Sequence, residues 1–242
     1  MREWGYSSLV GIVSRKLHSA VHFVRTERFY VLNGKPNPVE ARLPCEIQCM
    51  TGYTDQLRQQ LNRIKGCEGN WKRRFALSHR CYLVVVKDQA VGYGWVIPAA
   101  WQIGHERQSG PLAEDVAFLY DGITLDAYRG NRLGPARLAF MARDMARLGF
   151  PRSCLLVADD NIASQHSVLH AGFVRTQHTV RLDRVAMGFR FVRGGPPREF
   201  QAIAGTRNWI RNGSLELPAM PTHQSANRMT LPPRGVEPLS SG

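Results

Sequence analysis

Two arginines and two glycines fall within one short stretch, Tyr128-Arg129-Gly130-Asn131-Arg132-Leu133-Gly134-Pro135, between an apolar run and a long helical pattern. Proline lacks an N–H and holds φ near the helical value, so Pro135 suits a first helical position and Gly134 can take the cap conformation before it. Unpaired N–H groups at a helix start, with the positive end of the helix dipole, attract anions. Arg129 and Arg132 add two cationic side chains that can hydrogen-bond phosphate oxygens. The chemistry implied is retention of a phosphate or pyrophosphate. The alternative is an ordinary strand–turn–helix corner with two solvated arginines.

No Gly-Lys-Ser/Thr follows the turn, which excludes a P-loop, and Gly130 and Gly134 are spaced wrongly for G-x-G-x-x-G. The turn resembles motif A, R/Q-x-x-G-x-G/A, of the GCN5-related N-acetyltransferase (GNAT) superfamily. Arg129 fills its first position and Gly134 its last, while Arg132 stands where the first glycine is usual. A side chain there either crowds a pyrophosphate or reaches around it. Farther on, Asn161-Ile162-Ala163-Ser164 followed by His170-Ala171-Gly172-Phe173 is similar to motif B of the same superfamily. The two motifs come in the right order with a strand between them, and the likeness covers roughly residues 41–192. Side features, VGYGWV and the pairs Tyr120-Asp121 and Pro135-Ala136, resemble a subgroup associated with exopolysaccharide and surface-sugar biosynthesis.

The resemblance implies an acyl-CoA-dependent N-acetyltransferase with acetyl-CoA as co-substrate and no metal. Backbone groups of Ile123, Thr124 and Leu125 would run along the pantetheine arm. The N–H groups of Arg129, Gly130, Asn131, Arg132, Leu133 and Gly134 would hold the pyrophosphate, with Asn161 and Ser164 on the rest of the cofactor. A primary amine, such as that of an amino sugar, would attack the thioester directly. A base would take its proton, and an N–H, that of Leu125, would hold the oxyanion. Asp121 is the candidate base; its competing role is a structural carboxylate paired with an arginine. Tyr120, His105 and Glu114 are weaker candidates. Many GNAT enzymes carry a proton-donating tyrosine seven residues after the motif B asparagine, and here that position is Val168. Hence a second reading: a catalytically silent GNAT-like module that binds CoA or an acidic polymer.

The elements that position these residues follow from periodicity. Residues 45–50 alternate as a strand, and 55–65 carry Leu57, Leu61 and Ile64 at helical spacing. Residues 70–79 form a second, short helix with a basic trio, Lys72-Arg73-Arg74. Residues 81–86 and 91–97 are strands about a turn at Asp88-Gln89, and 98–112 a loop. Residues 116–125 form the strand that enters the basic turn, and 153–158 a buried strand after the long helix. Residues 162–171 form a helix stopped by Gly172, and 176–182 with 186–192 a final hairpin. This order argues for an α+β (α/β mixed) domain on one central sheet. The resemblance makes that sheet mixed, mostly antiparallel and flanked by helices.

Hydrophobic residues make up 43% and charged residues 21%, a globular balance, while the net charge of +13 favours anionic partners. Nucleotides and phosphorylated cofactors fit first, nucleic acid or an anionic membrane surface less well. Cys45, Cys49, Cys67, Cys81 and Cys154 are odd in number and scattered, as expected of a reduced cytoplasmic protein without a zinc site. No apolar run is long enough to span a bilayer, and the first residues lack the pattern of a signal peptide. Residues 1–40 read as a basic amphipathic extension, with residues 27–32 a candidate short strand. Its helical stripe, Leu9, Val13, Leu17, Val21 and Val24, would pack on the domain or lie on a membrane surface. Residues 193–242 read as a second extension, disordered from about 218.

Overall fold

The computed structural model describes residues 22–66, 69–103, 108–185, 190–201 and 228–231. In chain order these form β1 (His22–Asn33), β2 (Cys45–Met50), α1 (Asp55–Lys65), α2 (Trp71–Ala76), β3 (Arg80–Val86), β4 (Gln89–Pro98), β5 (Ala100–Ile103), β6 (Gln108–Pro111), β7 (Val116–Thr124), α3 (Leu133–Arg147), β8 (Arg152–Ala158), α4 (Ile162–His170), β9 (Val174–Val185), β10 (Arg190–Gly194) and β11 (Arg228–Leu231). Nine strands make one sheet in the order β10-β9-β1-β8-β7-β4-β3-β2-β11. Every neighbouring pair is antiparallel except β7 with β8. The architecture is thus the expected mixed, mostly antiparallel sheet flanked by helices.

Local chemistry sets the elements. Thr54 starts α1 by accepting the Leu57 N–H on its hydroxyl (3.1 Å), and Gly66, at φ +75°, ends it. Lys87 and Asp88 both take positive φ between β3 and β4, as a two-residue hairpin turn requires. That turn lies one residue earlier than the sequence suggested. Neighbouring residues on a strand point to opposite faces, so each face has its own core. One face joins Tyr82, Val96, Leu119, Leu155 and Val157 to Phe140 and Met145 of α3 and to Val168 of α4. The other joins Cys81, Leu83, Tyr93 and Trp95 to Leu57 and Leu61 of α1 and to Trp71 of α2.

Three segments differ from expectation. β1 contains the candidate strand 27–32 and is longer at both ends, and although residues 1–40 read as an extension it pairs with both β8 and β9 inside the sheet. Phe29, Tyr30, Val31 and Leu32 are all buried, so the segment is apolar on both faces and lacks the alternation that marks a half-buried strand. Residues 22–25, the end of the supposed helical stripe, are strand, and the rest of the stripe lies outside the described residues. The loop expected over residues 98–112 contains the hairpin β5–β6, while His105 lies outside the described residues. β11, within the tail read as disordered, adds to the edge at β2 through backbone pairing. Among the described residues no helix is long and apolar enough to cross a membrane.

Candidate functional site

β7 and β8 run parallel from the pair Val116–Arg152 to the pair Leu119–Leu155. Beyond that pair both strands continue, to Thr124 and Ala158, without facing one another. The cause lies in β7. Its register against β4 slips between the pairs Tyr93–Ile123 and Trp95–Tyr120, which leaves Asp121 and Gly122 opposite Gly94 alone. Asp121 takes φ +47° to accommodate the extra residue. A bulge bends its strand, so β7 follows β4 away from β8. The gap is a cleft of about 760 Å³, lined by the free edges of both strands, the Tyr128–Gly134 turn and the facing sides of α3 and α4.

Backbone pairing sorts the groups of β7. The Leu125 N–H donates to the Val91 carbonyl (2.9 Å). In an antiparallel ladder this directs Ile123 and Leu125 toward β4 and turns Gly122 and Thr124 to the cleft. The Leu125 N–H, expected to hold an oxyanion, therefore already has its acceptor. The Ile123 carbonyl accepts from Arg137 Nη1 (2.7 Å), and the Thr124 carbonyl from Arg129 Nε (3.4 Å).

The basic turn closes one end of the cleft. α3 starts at Leu133, earlier than the Pro135 start expected from proline's preference, and Arg132 is its N-cap at φ +57°. That left-handed conformation is one glycine adopts readily and a side chain disfavours. Arg42 donates its N–H to the Asn131 carbonyl (2.9 Å) and its Nη1 to the Gly130 carbonyl (3.3 Å). Asn131 Nδ2 donates to the Tyr128 carbonyl (3.2 Å). These bonds engage carbonyls of the turn; of its N–H groups, that of Tyr128 donates to the Leu125 carbonyl (2.9 Å), and that of Arg129, expected to hold a pyrophosphate, donates to the Asp126 carbonyl (3.1 Å). Arg129 makes an exposed pair with Asp126 (2.8 Å).

α4 forms the far wall. Asn161 caps it by accepting the Ser164 N–H on Oδ1 (3.1 Å), so the two expected cofactor contacts are also the helix start. A Cβ on Gly134 would lie 3.5 Å from Ser167 Oγ, which measures how closely α3 and α4 approach. Val168, whose chain position would carry the proton-donating tyrosine, is buried in the core. Tyr128, Ser164 and Ser167 supply hydroxyls along the lining.

At the inner end lies a cluster facing α1 and α2. The Arg74 guanidinium sits about 5 Å from the ring centroids of Trp71, Trp95 and Tyr120. Its Nη1 donates to Asp121 Oδ2 (2.6 Å), and Lys65 Nζ is 4.0 Å from the same oxygen. Asp121 lines the cleft, but as the partner of an arginine, the competing role foreseen for it. Tyr120 Oη lies 2.6 Å from Nδ1 of buried His79. Burial, and then the charges of Arg74 and Arg73, lower the His79 pKa from 6.5 to about 4. Glu114 is exposed and outside the cleft lining.

Sequence reasoning missed His79 and Arg137. His79 follows a short helix, and its side-chain partner Tyr120 lies on a strand far along the chain, so nothing marked it. Arg137 did leave a signal: a charge placed four residues after Leu133 and three before Phe140, on the apolar stripe of α3.

No family model and no curated protein matches the chain. Similar solved structures include a protein named as an acetyltransferase of the GNAT family from Novosphingobium aromaticivorans DSM 12444, at 13% identity over 66% of this chain and 63% of that one, with a TM-score of 0.48. A GCN5-related N-acetyltransferase-like protein from Streptococcus suis 89/1591 matches at 10% identity over 72% and 67%, with a TM-score of 0.45. A GCN5-related N-acetyltransferase from Sphaerobacter thermophilus matches at 15% identity over 77% and 58%, with a TM-score of 0.46. The chain spans less than two thirds of the first and third of these proteins. The likeness is one of fold at low identity.

Proposed function

We propose that this chain is an acyl-CoA-dependent N-acetyltransferase. The carrying observation is the cleft that opens where β7 and β8 separate after Leu119 and Leu155 and that runs to the N-terminal turn of α3. A pantetheine arm carries amides and would lie along the free edge at Gly122 and Thr124 as an added strand. The pyrophosphate would meet the N–H groups of the turn from Gly130 to Gly134 with two arginine side chains beside it. The acyl group then lies at the inner end, beside Tyr120 and Asp121. A neutral primary amine arriving there attacks the thioester carbon; Asp121 accepts its proton directly or through water. The amine of an amino sugar is the acceptor class this reading favours.

The test is calorimetry of acetyl-CoA binding to the wild type and to Gly134→Trp at two salt concentrations. The reading expects binding that weakens with salt and is abolished by the indole, which would collide with α4 near Ser167. No binding by the wild type overturns it. A second reading, a module that binds CoA without turnover, is favoured by buried Val168 and by the Arg74–Asp121 pair. It expects the same binding but no release of CoA thiol over a panel of amines.

A further inference from the structure

Arg137 is a cation in the wall of the cleft, with 5% of its surface exposed; the Asp121 carboxylate acts on it through space, but that carboxylate makes its ion pair with Arg74. Its Nη1 donates to the Ile123 carbonyl, while its buried Nε has no partner among the described residues. A guanidinium carries five N–H donors, and a buried charge whose donors are not all satisfied costs several kcal/mol in desolvation. An apolar residue on this helical stripe would be cheaper for stability alone. Room has been made for the group: a Cβ on Gly122 would stand 2.5 Å from Nη2, and one on Gly94 would stand 2.9 Å from Nε. Gly122 also turns its N–H to the cleft, so a side-chain donor and a backbone donor converge where β7 leaves β8. The backbone donor expected for this task, the Leu125 N–H, is held by Val91.

We infer that Arg137 is a catalytic residue of this cleft, whose guanidinium and the neighbouring Gly122 N–H together hold the thioester oxygen while it bears negative charge. The inference rests on the acyltransferase reading above. In the step concerned, the amine lone pair forms a C–N bond to the thioester carbon and the carbonyl π pair moves onto oxygen. The oxyanion then returns that pair, the C–S bond breaks, and the thiolate leaves with its electrons and takes up a proton; the amine nitrogen gives up its own. Fixed donors aimed at the oxygen stabilise the charged stage without reorganising. Burial lowers the Arg137 pKa only to about 10, so the group stays charged at neutral pH.

The experiment is difference infrared spectroscopy of acetyl-CoA labelled with carbon-13 at its thioester carbonyl, bound to the wild type, Arg137→Met and Gly122→Ala, with calorimetry on the same samples. The wild type is expected to lower the carbonyl stretching frequency below that of free acetyl-CoA. Arg137→Met should still bind through the pyrophosphate turn and lose most of that downshift. Gly122→Ala keeps Arg137 but pushes Nη2 aside, and should weaken the downshift by displacement; it carries the test where the methionine variant does not fold. Binding by the wild type with an unshifted carbonyl, or a wild-type downshift retained in the variants, overturns this role and leaves the acyltransferase reading standing. Failure of the wild type to bind overturns both.

Discussion

Leu119 and Leu155 are the last two residues to face each other across the parallel ladder, and the cleft begins immediately beyond them. Before this pair β7 is bonded on both sides; after it, one edge is open. The Gly122 and Thr124 amides should therefore exchange rapidly with solvent in the free protein, while the Leu125 amide, bonded to Val91, should be protected. Acetyl-CoA should slow exchange at Gly122 and Thr124 and leave Leu125 as it was. Residue-level hydrogen exchange by NMR checks this, and protection of Gly122 and Thr124 without ligand would contradict an open edge.

Arg74 is buried among three rings with Asp121 as its close carboxylate partner, so removing that carboxylate strands a cation. Breaking a buried pair by deleting one member costs about 3 kcal/mol or more. Asp121→Ala should be destabilised by that order in urea unfolding. Asp121→Asn, which keeps an oxygen for Arg74, should lose less. A base role makes a further demand: the Asn variant should lose transfer activity out of proportion to its lost stability. Equal stability of wild type and Asp121→Ala would show that Arg74 does not depend on the pair.

Much of this arrangement was legible because it depends on local pattern. The basic turn, the strand before it and the helix after it follow from glycine, proline and apolar spacing within one stretch of chain. The Asn161 cap and the Gly172 stop are likewise local. What was hidden depends on contacts distant in sequence. Residues 27–32 were legible as a short strand, but the place of β1 inside the sheet was not, because its partners β8 and β9 lie far along the chain. The bulge at Asp121-Gly122 is a mismatch of register between two strands, which neither strand carries alone. His79 acquires its character first from burial and then from the charge of Arg74, and only folding buries the ring and brings Tyr120 to it.

Arg132 holds the left-handed conformation at the α3 N-cap, where a side chain costs roughly 1 kcal/mol relative to glycine. Glycine also loses more backbone freedom on folding, which offsets part of the relief. Arg132→Gly should therefore raise stability by less than about 1 kcal/mol. If the Arg132 guanidinium reaches around a pyrophosphate, the same substitution weakens acetyl-CoA binding at low salt, and the difference shrinks as salt rises. Thermal melts and calorimetry on one pair of proteins read both. A more stable variant with unchanged affinity would place the Arg132 side chain outside the phosphate site.

His79 sets a pH dependence of stability whose sign follows from its burial. Folding lowers its pKa from 6.5 to about 4, so the native state favours the neutral ring. With Nδ1 unprotonated, that ring accepts the Tyr120 hydroxyl; protonation removes the acceptor and sets a buried cation near Arg74. The contribution is fully present above pH 6.5, declines as pH falls, and is lost below about pH 4. Across that window it amounts to about 3 kcal/mol. Carboxylates titrate over the lower part of the same range, so the comparison must be with His79→Gln, which keeps the carboxylates and has no imidazole. Urea unfolding between pH 7.5 and pH 5 should show the wild type losing stability faster than the variant, mostly below pH 6.5. Parallel slopes would mean that the ring is solvated when charged and that its pairing with Tyr120 does not depend on its protonation state.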